Sequence, residues 1–462
     1  MNAKQQTAGE IDLGQGSVGK LLFKLAVPAI TAQIINVLYN MVDRMYIGHL
    51  PDIGASALTG VGVTFPVITA ISAFASLVSM GGAPRASIML GRGKKEEAER
   101  ILGNCTTALI LVALVLTLFF HIWGRQILLM FGASGNTIEY AWAYMNIYAL
   151  GTIFVQLSLG LNAFINAQGY ARIGMLTVLI GAVCNIILDP ILMFGFDMGV
   201  EGAALATIIS QGISAAWVVQ FLTSKKSWLR IRLLYMRPCA KVLAPCIALG
   251  LSPFVMQFTE SILNICFNTS LQKYGGDIAV GAMTILSSAM QFSMLPLQGL
   301  TQGSQPIVSF NYGAGKLNRV GKTFRLLLIS CLCYAALLWA VCVFAPRAFI
   351  MIFTQDAQLT SYSMWALRIY MGCSALIGAQ VACQQTFIAL GDSRTSLFLA
   401  LLRKVFLLIP LIYILPNFFA DKTFAVFLAE PVADFIAVCT TVTLFTRSLR
   451  RLMKKGARTG TS

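Results

Sequence analysis

Apolar residues in this chain come in long unbroken runs separated by short polar stretches. Twelve runs stand out, near 21–48, 56–80, 101–123, 140–165, 172–195, 202–223, 242–271, 279–303, 324–346, 360–388, 396–416 and 424–446. A helix needs roughly 20 apolar residues to cross the hydrocarbon core of a bilayer, and these runs reach that length. In lipid every backbone N–H and C=O must be satisfied within the protein, and continuous runs of this length do so as helices rather than as barrel strands. The pattern therefore predicts an all-α polytopic membrane protein with twelve transmembrane helices and little mass outside the bilayer.

The polar stretches alternate in charge. Lys4, Lys20 and Lys24 precede the first run, Arg85 to Arg100 supplies five bases between runs 2 and 3, and Lys225 to Lys241 supplies six between runs 6 and 7. Lys316, Arg319, Lys322 and Arg325 follow run 8, and a basic tail closes the chain. The intervening stretches hold only Arg125, Lys273, Arg347 and Lys422. Positive charge marks cytoplasmic loops, so both termini are expected in the cytoplasm and the protein in the cytoplasmic (inner) cell membrane. The polar start, through Gly19, lacks the short apolar core and small-residue cleavage site of a signal peptide, so the first run is expected to be a retained helix.

The chain also contains itself twice. Asp52-Ile-Gly-Ala-Ser-Ala-Leu-Thr59 matches Asp277-Ile-Ala-Val-Gly-Ala-Met-Thr284, and Pro28 matches Pro253 at the same offset of 225. Gly91-Arg-Gly-Lys94 matches Gly313-Ala-Gly-Lys316, Ile147-Tyr148 matches Ile369-Tyr370, and Gly169 to Arg172 matches Gly391 to Arg394, all at 222. Six spans per half is an even number, so both halves enter the membrane in the same sense. A parallel repeat about an axis along the membrane normal, with a central cleft, is a transporter design. The expected division is an N-lobe over 1–223, a linker over 224–241, a C-lobe over 242–446 and a basic tail over 447–462.

Composition narrows the function. With 57% hydrophobic and 11% charged residues, a soluble enzyme is excluded. The net charge of +16 follows the loop alternation, so it reads as topology and not as a nucleic-acid surface. Eleven cysteines without a CxxC pair read as free thiols, and two histidines, His49 and His121, are too few for a metal site. Gly14-Gln-Gly-Ser-Val-Gly-Lys20 imitates a phosphate loop, but no strand precedes it and Leu21 stands where Ser or Thr is needed. No cofactor and no catalytic residue are expected. Work must then come from an ion gradient, and a two-lobed chain enclosing its own path can act as a monomer.

Ionisable groups at bilayer depth are costly and mark function by default. Gln33, Asn36, Asn40 and Asp43 share one face of span 1. Asn185 and Asp189 lie four apart in span 5, and Thr207 heads a polar face of span 6. Glu260 and Asn264 share a face of span 7 with Gln257 and Asn268. A carboxyl held out of water, with a second one near it, can exchange a proton against a bound cation. Oxygen donors such as Asn185 and Thr207 suit sodium instead. In span 12, Glu430 and Asp434 lie four apart, and a structural ion pair with Arg368 of span 10 is expected. A cleft rich in Met and aromatic residues suits varied flat ligands.

Several of these stretches are similar to one known family. Leu25-Ala-Val-Pro28 with Gln33, Tyr39-Asn40-Met-Val-Asp43 and Ile47-Gly48 resembles the first helix of the multidrug and toxic compound extrusion (MATE) family. So do Asn185-Ile-Ile-Leu-Asp189-Pro190, Glu201 to Thr207, Gln302-Gly-Ser-Gln-Pro306 and Asn311-Tyr-Gly-Ala314. The resemblance implies a V-shaped twelve-helix fold in two pseudo-symmetric six-helix lobes. It implies export of amphipathic, cationic compounds in exchange for protons or sodium. It further implies an N-lobe ion site at Asp43, Asn185, Asp189 and Thr207, and a substrate cleft reached by Gln33, Asn36, Asn40, Glu260 and Asn264. The seventh-helix acid of sodium-coupled members maps onto Glu260, but their helix-ten Asp has no counterpart between Tyr370 and Leu390, which favours the N-lobe site. The rival reading is a lipid-linked oligosaccharide flippase of the same superfamily. That activity calls for a basic cleft, whereas this chain buries acids in its N-lobe.

Overall fold

The computed structural model describes residues 12–51, 53–354 and 356–458. Lys4 of the basic alternation, Asp52 of the repeat and residues 459–462 of the tail lie outside the described residues. The described chain is built of helices (α1, Val18–Gly48; α2, Gly54–Gly91; α3, Lys95–Met130; α4, Ile138–Leu150; α5, Thr152–Ala167; α6, Ala171–Pro190; α7, Gly199–Thr223) and then α8, Ala240–Gly313. The second half continues with α9, Leu317–Phe344; α10, Pro346–Ile350; α11, Ala357–Tyr370; α12, Ser374–Leu390; α13, Ser393–Leu401; α14, Ile409–Ile414; and α15, Lys422–Arg458.

These elements make twelve membrane crossings because three of them are not straight single spans. At 1.5 Å per residue the 74 residues of α8 would reach about 110 Å if straight, far more than a bilayer. The helix doubles back at Gly276, whose φ of 64° and ψ of −160° only glycine adopts without strain. Helices α4 and α5 form one crossing bent by 58°, and α11 and α12 form one bent by 47°. The first bend lies at Gly151 and the second at 371–373, so the repeat offset of 222 reappears as matching breaks in three dimensions. Two crossings contain π-turns, Ile191–Gly195 after α6 and Leu402–Leu408 between α13 and α14. Such turns free backbone groups and often sit at functional positions.

The last helix continues through 447–458, the segment expected to be a tail. Nothing in Arg447 to Lys455 breaks a helix, and Arg and Lys are good helix formers.

Small residues hold the two halves together. A Cβ added at Gly81 of α2 would collide with the backbone of Cys246 and Gly250, and one at Gly250 would collide with Leu77. Across the axis, Gly303, the repeat counterpart of Gly81, lies against Leu25 and Ala26 of α1, and Gly299, the counterpart of Leu77, lies against Ile30. At the ends of α2 and α8, Gly91 packs on Phe310 and Gly313 on Ile88. In lipid, where apolar surface alone gives little drive for helices to associate, this close backbone approach is a main source of packing energy. Gln257 Nε2 donates to Ser76 Oγ at 2.9 Å and the Phe74 and Phe254 rings meet at 5.1 Å, so these contacts also cross the interface.

All of these contacts lie on the half of the bundle that carries the chain ends. A strap reinforces it. Asn311 Nδ2 donates to Leu13 O at 2.8 Å, Lys316 Nζ to Gly14 O at 2.8 Å, and Arg319 to Gly16 O at 2.8 Å and Gln15 O at 3.0 Å. The phosphate-loop look-alike is thus a carbonyl-rich segment pinned by C-lobe donors. The linker before α8 is pinned similarly, with Cys239 N donating to Asn104 Oδ1 at 2.6 Å and Arg232 Nε 2.9 Å from the buried Glu99 carboxylate. Farther along these helices, Asn36 and Asn40 of α1 and Glu260 and Asn264 of α8 are exposed.

Candidate functional site

The N-lobe gathers its polar residues where α1, α6 and α7 meet. Asn185 and Asp189 stand one turn apart at the end of α6, just before Pro190 and the π-turn, and both are buried. Asn185 Nδ2 donates to Asp189 Oδ1 at 3.1 Å and to Thr207 Oγ1 at 3.4 Å. The Thr207 hydroxyl donates to Ala203 O at 3.0 Å, which leaves its lone pairs facing the cluster. Asp43 is buried on α1, close enough to Asp189 for its charge to act there. Its neighbour Arg44 is exposed and lies 4.9 Å over the Phe65 ring, within electrostatic reach of Asp43 but not in an ion pair with it.

Three oxygens in this cluster lack a hydrogen-bond donor: Asp43 Oδ1, Asn185 Oδ1 and Asp189 Oδ2. Among the described residues neither acid has a basic partner. Three tyrosines complete the site. Tyr39 stands one turn before Asp43, the Tyr144 and Tyr148 rings stack at 6.1 Å, and the Tyr144 hydroxyl reaches Thr207. None of the three is among the site residues expected from the sequence. The signal available was the i, i+4 spacing of Tyr144 and Tyr148 within one apolar run.

The polar stripe on α1 divides by depth. Asp43 is enclosed by the lobe, whereas Asn36 and Asn40 are exposed and Gln33 is half-buried. Asn40 Nδ2 donates to Asn36 O at 2.6 Å, and Asn264 Nδ2 to Glu260 O at 3.1 Å, so both helices keep amide oxygens free for the cleft. These residues do not join the buried cluster.

The C-lobe overturns one expectation. Glu430 and Asp434 do pair with an arginine, but it is Arg403: its Nε lies 2.7 Å from Asp434 Oδ1 and its terminal nitrogen 3.1 Å from Glu430 Oε1. Arg368 is exposed, and its Nε donates to Val343 O at 3.1 Å near the end of α9. The reason is rotational. Ala366, Leu367 and Tyr370 form the buried stripe of α11 and turn Arg368 to the opposite face. Arg403, ten residues into its crossing, sits well inside the lobe rather than near the membrane surface. The next residue, Lys404, is 7% exposed and reaches the other way, donating to Met256 O at 2.7 Å and pairing with Glu260.

A fold of two repeated six-crossing lobes, with buried acids lacking an ion-pair partner in one lobe, defines a membrane transporter. The MatE family profile matches residues 28–191 and 253–414, once in each lobe, and the chain belongs to this family, the multidrug and toxic compound extrusion transporters. It is 25% identical over 426 residues to the multidrug export protein MepA of Staphylococcus haemolyticus strain JCSC1435, covering 92% of this chain and 93% of that one. The solved structure of the MATE multidrug transporter DinF-BH is 32% identical, with a TM-score of 0.87 over 96% of this chain and 98% of its own. A crystal structure of MATE in the bent conformation superposes with a TM-score of 0.91 at 20% identity, covering 98% and 100% of the two chains.

Proposed function

We propose that this protein is a multidrug efflux antiporter of the cytoplasmic membrane, exporting amphipathic, cationic compounds in exchange for H+ or Na+. Asp43 and Asp189 bind the coupling ion, aided by Asn185 and Thr207. Gln33, Asn36, Asn40, Glu260 and Asn264 line the substrate path. Both termini face the cytoplasm, and one chain suffices.

The observation that carries this reading is the set of three orphaned oxygens on Asp43, Asn185 and Asp189. Two buried carboxylates without a base are costly, and one bound cation removes the cost. A proton on one acid becomes a donor for the other, and a sodium ion would take all three oxygens at once. Either neutralises the cluster and lets α1 settle differently against α6 and α7. Because α1 also packs on the second arm of α8, such a change biases the lobe interface. With the chain ends in the cytoplasm, the packed half is the cytoplasmic side and the cleft opens outward.

The test is efflux of a fluorescent cationic dye from proteoliposomes, with proton and sodium gradients imposed separately, for wild type and Asp43→Asn. Dye export that follows one gradient and disappears in the folded variant is the expected result. Full efflux by Asp43→Asn would sink the assignment of the ion site.

A further inference from the structure

The C-lobe holds a charge arrangement that the coupling site does not use. Arg403 and Lys404 are adjacent in sequence, within the π-helix Leu402–Leu408, yet they serve opposite neighbours. Arg403 is committed to two buried acids of α15. Lys404 is buried, whereas its partner Glu260 is 59% exposed, so the pair has one enclosed member and one that faces the cleft. Met256 O, one turn before Glu260, fixes the ammonium from the same helix. Glu430 lies within electrostatic reach of Lys404 but is hydrogen-bonded to Arg403, so the one ion pair of Lys404 among the described residues is with Glu260.

We propose that the Lys404 ammonium is a built-in competitor for the cation seat at Glu260, so that an organic cation entering the cleft must displace it to reach the carboxylate. This rests on the reading that the cleft takes organic cations. The displaced ammonium keeps one hydrogen bond, to Met256 O, which solvates its charge without neutralising it, so the cost of parting Lys404 from Glu260 is part of what an incoming cation must offset. The arrangement makes Lys404 a specificity-determining residue: weakly binding small cations are refused, and ligands that add apolar contact to their charge are admitted. It also gives the seat a default occupant, so Glu260 is never left as an unpaired acid between turnovers.

The measurement is equilibrium binding of tetraphenylphosphonium and of the uncharged triphenylphosphine oxide to detergent-solubilised protein, for wild type, Lys404→Gln, Glu260→Gln and the double variant. Glu260 is solvated from the cleft, so Lys404→Gln leaves no dry unpaired charge, and a gel-filtration profile checks the fold. Lys404→Gln is expected to bind the phosphonium about three- to tenfold more tightly, with the neutral probe unchanged, as removal of a half-exposed charge pair implies. In the Glu260→Gln background the same substitution is expected to give no gain. A gain that persists without Glu260 would mean that Lys404 acts only through the general potential of the cleft, and would overturn the proposal, as would no gain at all. Binding of neither probe to any form would overturn the substrate reading itself, and this inference with it.

Discussion

Arg403 Nε lies 2.7 Å from Asp434 Oδ1, with Glu430 on the same guanidinium, so one base holds two acids of the last crossing inside the C-lobe. The N-lobe has no such arrangement, since Asp43 and Asp189 share no base among the described residues. The two halves of the repeat have therefore divided the work. In one lobe a fixed base holds both acids of the last crossing, and in the other Asp43 and Asp189 have no ion-pair partner among the described residues.

This division predicts unequal costs. Arg403→Met leaves two buried carboxylates without a counter-charge and should destabilise the protein by about 3–5 kcal/mol. Arg368→Met removes one exposed contact and should stay within about 0.5 kcal/mol. Thermal unfolding of both variants in one detergent compares them, and equal losses would contradict the assignment of the pair.

The glycine contacts predict a conformational effect. A methyl group at Gly81 meets the Cys246 carbonyl and the Gly250 backbone, neither of which can swing aside. Overpacking of this kind costs about 1–3 kcal/mol, enough to shift the lobe equilibrium at least about fivefold away from the packed state. A Ser76→Cys, Gln257→Cys pair in a cysteine-depleted background reports the interface by cross-linking, and adding Gly81→Ala should lower the yield. Gly62→Ala, at a position with open space around it, should leave the yield unchanged.

The strap should loosen when its donors go. Asn311→Ala with Arg319→Ala removes the side chains that hold the Leu13, Gln15 and Gly16 carbonyls. Amide hydrogen exchange over residues 12–20 should quicken in the double variant while α4 keeps its protection. Unchanged exchange at the strap would show that these bonds do not hold it.

One loop carboxylate gives a pH signature. Asp421 accepts from Phe424 N at 3.0 Å and from Thr423 Oγ1 at 2.7 Å, which caps the start of α15 and holds its carboxyl below the usual carboxylate range. A lowered value means that the stabilisation is present above the ordinary carboxylate pKa and is lost as pH falls through the lowered one. Asp421→Ala should cost about 1 kcal/mol at neutral pH. The gap to wild type should close in strong acid, as followed by unfolding midpoints across a pH series.

Much of this was legible in the sequence because the bilayer leaves few choices. Run length fixed the helical class, and the offset of 222 carries both the twin lobes and the paired breaks at Gly151 and 371–373. Asp43, Asn185 and Asp189 could be picked out because acids and amides are conspicuous among apolar residues. Partnership was harder to read. Arg368 and Arg403 both lie within crossings near the same acids, and only the rotation of α11 and the π-helix after α13 decide between them. Lys404 stands out in the sequence as a deep base, but its partner does not, since a π-helix changes the angle between successive side chains. The tyrosines around Asp43 carry only a weak signal, the i, i+4 spacing of Tyr144 and Tyr148, because their rings also serve as core.

The strap has a consequence for how the molecule is made. Its hydrogen bonds join residues 298 to 306 positions apart, so a segment near the start of the chain must wait for a much later one to leave the ribosome. At about 5–20 residues per second that wait lasts roughly 15–60 s. Through this interval Leu13 to Gly16 keep water as their partner, and the N-lobe inserts with its leading end untied. Docking of the strap then marks the moment when both lobes are present and correctly apposed, and a chain truncated before Asn311 never reaches it.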